Sequence, residues 1–149
     1  MERRGAMFTG EFRHTVDSKG RLSLPAIHRR GLPPQVVICK GFDDTLFVFA
    51  PEDYDAWLTS LVPYDDLDED IRAFYRVLTA GATTVDLDAA GRVSISQFLR
   101  EYAGLGKDVV VFGNRDRIEI WDAAHWDRYN QSHGSINELV KKVRSKKSE

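Results

Sequence analysis

Cysteine is almost absent from this chain of 149 residues, which contains only Cys39. A single cysteine excludes a disulfide within the chain, and its place in an apolar run predicts a buried strand residue. No apolar run approaches the ~18 residues of a membrane-spanning helix, and the N-terminus lacks the apolar segment of a secretory signal. We therefore expect a cytoplasmic protein with no membrane partner.

The residue patterns of catalysis and metal binding are also missing. The four histidines show no metal-ligand spacing, and neither a phosphate-binding Gly-x-x-x-x-Gly-Lys-Ser/Thr motif nor a Gly-x-Ser-x-Gly motif occurs. The acidic run at residues 65–70 lacks the spacing and the glycine of a calcium loop, and acidic residues are favoured at a helix start. We expect no enzyme activity, no catalytic residues, no metal, no cofactor and no small-molecule substrate.

Charge is unevenly distributed although the net charge is only −2. Residues 1–50 carry 8 Lys and Arg against 5 Asp and Glu, whereas residues 51–76 carry 2 against 8. The whole chain is therefore not a polycation, which is weak evidence against a polyanionic partner. The first part of the chain is nevertheless basic and is followed by an acidic connector.

A repeated sequence motif divides the chain into two related halves. Residues 17–24 read Asp-Ser-Lys-Gly-Arg-Leu-Ser-Leu, and residues 88–95 read Asp-Ala-Ala-Gly-Arg-Val-Ser-Ile. The offset is 71, and after an inserted residue it becomes 72, which matches residues 37–39 with 109–111. Two copies of about 50 residues would be marginal alone, so we expect them to share a core, either with each other in a pseudo-twofold arrangement or with other subunits.

Each copy is predicted to contain a strand, a turn, a second strand, a short helix and a hairpin, followed by a helix. Asp at the first turn position accepts backbone N–H bonds, and Gly at the fourth tolerates positive φ. The turn-structuring residues are therefore Asp17, Gly20, Asp88 and Gly91. With further helices in the connector and near the C-terminus, the fold class is α+β with peripheral helices.

The two turn arginines have two interpretations. In the structural one, each arginine only pairs with the aspartate of its own turn. In the functional one, the turns contact nucleic acid, since a preorganised turn with Lys and Arg suits phosphate or a bidentate guanine contact. Duplication of the turn, Lys19 and the nearby basic residues favour the second. The candidate DNA-binding residues are Lys19, Arg21, Arg13 and Arg92.

These residues resemble the MraZ family. The resemblance rests on Met7-Phe-x-Gly10, on Asp17 to Pro25, on Asp88 to Arg92, and on Glu119-Ile-Trp121 with Trp126. It implies two tandem AbrB/SpoVT-like swapped-hairpin units and a bacterial transcriptional regulator that forms ring-like oligomers. Such a regulator binds tandem short boxes upstream of its own cell-division and cell-wall gene cluster. Lys19 and Arg21 match the family's DNA-contact motif, whereas only Asp88, Gly91 and Arg92 match it in the second copy.

We predict a sequence-specific repressor that binds double-stranded promoter DNA, is nucleoid-associated and assembles as a homo-oligomeric ring. The alternative is an oligomeric protein-interaction module without direct DNA readout. Residues 1–6 are a short extension. The predicted units are the first AbrB/SpoVT-like unit at 7–54, an acidic helical connector at 55–82, the second unit at 83–126, and a C-terminal helix with a basic tail at 127–149.

Overall fold

The structure, a computed structural model, describes residues 7–147, and the extension predicted at residues 1–6 lies outside that range. The strands are β1 (Glu11–Thr15), β2 (Arg21–Ser23), β3 (Gln35–Lys40), β4 (Leu46–Phe49), β5 (Thr83–Asp86), β6 (Arg92–Ser94), β7 (Asp108–Asn114) and β8 (Arg117–Asp122). The helices are α1 (Ala26–Arg29), α2 (Pro51–Ser60), α3 (Glu69–Thr79), α4 (Gln97–Tyr102), α5 (Ala123–Ser132) and α6 (Ile136–Lys147). The predicted α+β class is confirmed.

The two halves are joined by exchange of their first strands. Six strands form one antiparallel sheet in the order β1-β7-β8-β4-β3-β5, and this order reads the same when the halves are interchanged. β1 of the first half pairs with β7 of the second, and β5 of the second half pairs with β3 of the first. Neither half therefore has a complete sheet of its own.

The pairing corrects the predicted offset in β3 and β7. Thr15 pairs with Asp108, and its repeat equivalent Asp86 pairs with Gln35. Gln35 and Asp108 are therefore equivalent, and the offset in these strands is 73 rather than the predicted 72. The prediction was wrong by one residue because both strands are continuous apolar runs, and without polar alternation a sequence does not show which side chains face which core.

Apolar side chains cover both faces of the sheet. The larger core lies beneath β2, β6 and α4, with fully buried side chains that include Leu22, Val93 and Leu99. A second core lies beneath α2 and α3, where Trp57 stacks on Phe49 with ring centroids 5.1 Å apart. This second core also contains Cys39, a buried strand residue as predicted. Burial raises the pKa of its thiol to about 12.

Side-chain caps begin two of the peripheral helices. Asp68 accepts a hydrogen bond from the Ile71 N–H at the start of α3, and Asp122 does the same for His125 at the start of α5. The predicted unit boundaries after residues 54 and 126 fall inside α2 and α5. Both helices begin directly after the last strand of their own half, so each predicted unit includes only the start of the helix that follows its hairpin.

Candidate nucleic-acid interface

The first repeated turn is closed by three hydrogen bonds to one carboxylate. Asp17 Oδ1 accepts from the backbone N–H groups of Lys19 and Arg21, both at 2.9 Å, and Oδ2 accepts from Arg21 Nε at 2.8 Å. Gly20 has φ +81°, the left-handed conformation that glycine adopts at low cost. Hydrogen bonds from Arg21 and Lys19 hold the pKa of Asp17 below its ordinary value, with the Arg21 backbone N–H as the largest cause.

The second turn repeats this geometry. Asp88 Oδ1 accepts from the N–H groups of Ala90 and Arg92 at 2.9 Å, and Oδ2 accepts from Arg92 Nε at 2.8 Å. Gly91 has φ +76°, and the pKa of Asp88 is lowered mainly by the Arg92 backbone N–H. Asp88 and Gly91 therefore have the same geometry in the second turn as Asp17 and Gly20 have in the first.

The strands that leave the two turns pair with each other across the halves. β2 and β6 form an antiparallel two-stranded ribbon in which Leu22 lies opposite Val93, and both of these side chains are fully buried. Because side chains alternate along a strand, the neighbours of this buried pair face away from the core. These outward residues are Arg21, Ser23, Arg92 and Ser94.

Each arginine of the ribbon is both anchored and accessible. Arg21 and Arg92 have side chains 35% exposed and use Nε for the bond to their own aspartate. Within residues 7–147, neither guanidinium makes a second hydrogen bond through its terminal nitrogens. The structural pairing predicted as one alternative is therefore present, but it leaves the two terminal nitrogens of each arginine available for a ligand.

Each turn is also supported by the other half. The Ile95 N–H donates to the Gly20 carbonyl at 2.8 Å, and the Leu24 N–H donates to the Gly91 carbonyl at 3.1 Å. A Cβ at Gly20 would lie 2.7 Å from the Ile95 carbonyl oxygen and 2.9 Å from the Arg100 guanidinium. Arg29 lies in the same way against the second turn, and the two arginines occupy equivalent repeat positions.

The predicted DNA-binding residues are not all in one place. Arg21 and Arg92 lie on the outer face of the ribbon, and Lys19 is exposed on the first turn. Arg13 lies on β1 and binds Asp127 of α5 with 2.7 Å between Nη2 and Oδ1, not any residue of the ribbon. Ser23 and Ser94 were not among the predicted site residues, although both recur at the same place in the repeated motif.

Other kinds of site find less support in the geometry. Among residues 7–147, no group of three or more His, Cys, Asp or Glu side chains is placed to hold a metal ion. None of the helices described here is long and apolar enough to span a bilayer. Trp57 and Trp121 are buried in the core and are therefore not exposed to stack on nucleic-acid bases.

Comparison with known proteins matches two segments of the chain, residues 7–75 and 78–144, to the family model described as "MraZ protein, putative antitoxin-like". The chain belongs to the MraZ family. Relatives named "Transcriptional regulator MraZ" include one from Acetivibrio thermocellus, 43% identical over 138 residues that cover 90% of this chain and 96% of the relative. The relative from Desulforamulus reducens is 41% identical over 138 residues, covering 92% and 97% respectively.

A third MraZ relative, from Moorella thermoacetica, is 43% identical over 123 residues, which cover 83% of this chain and 86% of the relative. The two segments matched by the MraZ model each include one Asp-x-x-Gly-Arg turn. The strands β1 and β5, which the halves exchange, therefore lie in different MraZ segments.

Proposed function

We propose that this MraZ-family protein is a sequence-specific DNA-binding transcriptional regulator that acts as a repressor. The observation that supports this most strongly is the ribbon of β2 and β6, whose outer face carries two equivalent arginines. The major groove of B-form DNA admits a two-stranded β-ribbon, and arginine is the side chain that pairs bidentately with guanine O6 and N7. The names of the MraZ relatives support the same class of function.

In this proposal, the aspartate of each turn positions the arginine. A bond through Nε holds the guanidinium plane in place, and the terminal nitrogens of Arg21 and Arg92 contact bases. Lys19 contacts a phosphate, while Ser23 and Ser94 hydrogen-bond to bases or to the backbone. Arg13 remains a predicted DNA contact, and reaching DNA would require it to leave Asp127.

We further propose that the halves are AbrB/SpoVT-like swapped-hairpin units, with the boundaries predicted from the sequence. The exchange of β1 and β5 supports this assignment. The operator is a set of tandem short boxes upstream of the protein's own cell-division and cell-wall gene cluster. A homo-oligomeric ring in the nucleoid binds the boxes, because one ribbon offers too few contacts for specific binding near 10⁻⁸ M. Linked copies raise avidity by ~10²–10⁴ when both engage.

Footprinting on the DNA upstream of the gene, followed by gel-shift titration, tests this function. Probes carry one protected box, two boxes at natural spacing, or two boxes with an extra half helical turn between them. Two boxes should bind far more tightly than one, and the half-turn insertion should remove most of the gain because the second box then faces away. Equal affinity for all three probes, with a monomer by light scattering, would refute the tandem-box model.

The alternative, a protein-interaction module, is favoured by one observation. α6 exposes apolar side chains at helical spacing, with Ile136 75% and Val143 57% exposed. Deletion of α6 distinguishes the two functions. If the protein is an interaction module, it should capture its protein partner without promoter DNA, and the deletion variant should no longer capture it. If the protein is a DNA-binding regulator, the deletion variant should still protect its operator in a footprint, because the ribbon is intact.

A further inference from the structure

A cavity beside the first turn is formed by both halves of the chain. It has a volume of about 490 Å³ and opens to solvent. Asp17 and Ser18 of the first turn form one wall, and Arg100 and Lys107 of the second half form the other. This arrangement depends on the exchanged strands, since the Val16 N–H donates to the Lys107 carbonyl at 2.8 Å and so holds the two walls together.

The cations that line this cavity are available, whereas the carboxylate of Asp17 is engaged. The Lys107 ammonium makes no ion pair with a carboxylate in the part of the chain that the structure describes. Arg100 uses Nε to donate to the Ile95 carbonyl at 3.1 Å, which leaves its terminal nitrogens. Asp17 already accepts three hydrogen bonds, and nearby Asp122 accepts from the N–H groups of Gly106 and His125.

At the second turn, Arg29 is the equivalent of Arg100, but the position equivalent to Lys107 has no cation. The Leu87 N–H donates to the Pro34 carbonyl at 2.8 Å, which is the counterpart of the bond from Val16 to Lys107. With the offset of 73 given by the strand pairing, Pro34 therefore occupies the place of Lys107. The turn itself has alanines at residues 89 and 90, where the first turn has serine and lysine.

We propose that the cavity lined by Ser18, Arg100 and Lys107 is a binding site for a phosphodiester group of the DNA backbone. The site rests on the DNA-binding function proposed above and adds to it residues from the opposite half. Two cations and a hydroxyl donor match the oxygens of one phosphate. The first turn thus takes its phosphate contact from two cations of the second half of the chain, whereas the second turn has only Arg29 from the first half.

The salt dependence of DNA binding tests this site. Each neutralised phosphate contributes about −0.9 to the slope of log K against log salt concentration. Lys107→Gln should make the slope shallower by about one per engaged subunit, equally on promoter and unrelated duplexes. Lys107 is exposed and its backbone bond is retained, so the melting temperature should not change. The reciprocal variant Pro34→Lys should make the slope steeper.

Arg115→Gln is the matched control, because it removes one exposed positive charge at the far end of β7, roughly 25 Å away at about 3.4 Å per residue. A slope change in Lys107→Gln no larger than in this control would overturn the site.

A titration with inorganic phosphate distinguishes a site for a DNA phosphodiester from a site for free phosphate. Binding is followed by the NMR chemical shifts of Ser18 and Lys107. Saturation by free phosphate with an unchanged DNA slope would overturn the assignment to DNA. A wild-type protein that binds no duplex would refute both this site and the DNA-binding function.

Discussion

Replacing Arg21 with alanine separates the structural role of the turn arginine from its proposed role in DNA binding. The side chain is 35% exposed, and Asp17 keeps its two backbone N–H donors without it. Surface substitutions of this kind usually change stability by about 0.5 kcal/mol. For a chain of this size that is a shift of about 1–2 °C in melting temperature. We therefore expect Arg21→Ala to fold and to melt close to the wild type.

The expected loss of DNA affinity is much larger. A bidentate arginine–guanine pair contributes about 1–3 kcal/mol, which is roughly 5- to 150-fold in affinity for each ribbon engaged. Arg92→Ala is a matched comparison, since Arg92 has the same exposure and the same 2.8 Å bond to its aspartate. The two variants should melt alike. Arg92→Ala should lose less affinity, because the second turn has Ala90 where the first has Lys19.

Thermal melting by circular dichroism and fluorescence anisotropy on a footprinted two-box duplex measure the two effects. If Arg21→Ala melts far below the wild type, or binds DNA as well, the arginine is a structural residue and the interpretation of the ribbon is wrong. If both variants lose equal affinity, the halves have not diverged in function. An affinity loss in Arg21→Ala that disappears on unrelated DNA identifies a base contact rather than a phosphate contact.

Three further predictions concern the framework of the site. The carboxyl groups of Asp17 and Asp88 should titrate below the ordinary value of 3.8 in ¹³C NMR; the stability they contribute is present above that value and is lost as pH falls through the lowered pKa. The Cys39 thiol should react with a thiol reagent only after denaturation, since burial raises its pKa to about 12. Gly20→Ala should lower the melting temperature more than Gly104→Ala, because both have positive φ but only Gly20 lacks space for a Cβ.

Local features were predictable from the sequence because short-range chemistry determines them. The repeated Asp-x-x-Gly-Arg motif identified both turns. In the structure, Asp17 and Asp88 each accept a hydrogen bond from the backbone N–H of the arginine four residues later. The caps at Asp68 and Asp122 have the same local origin, since a side-chain acceptor beside a helix start satisfies an unpaired N–H. Such interactions span about four residues and can be read directly from the order of the residues.

Interactions between the halves could not be predicted in this way. The repeat indicated two equivalent units but not that β1 would pair with β7 of the other half, because a strand can complete either hairpin with the same hydrogen bonds. This exchange makes the second half responsible for one wall of the cavity beside the first turn. It also places Arg100 against Gly20 and Arg29 against Gly91. A substitution in one half should therefore act through the turn of the other, and neither half on its own should bind DNA.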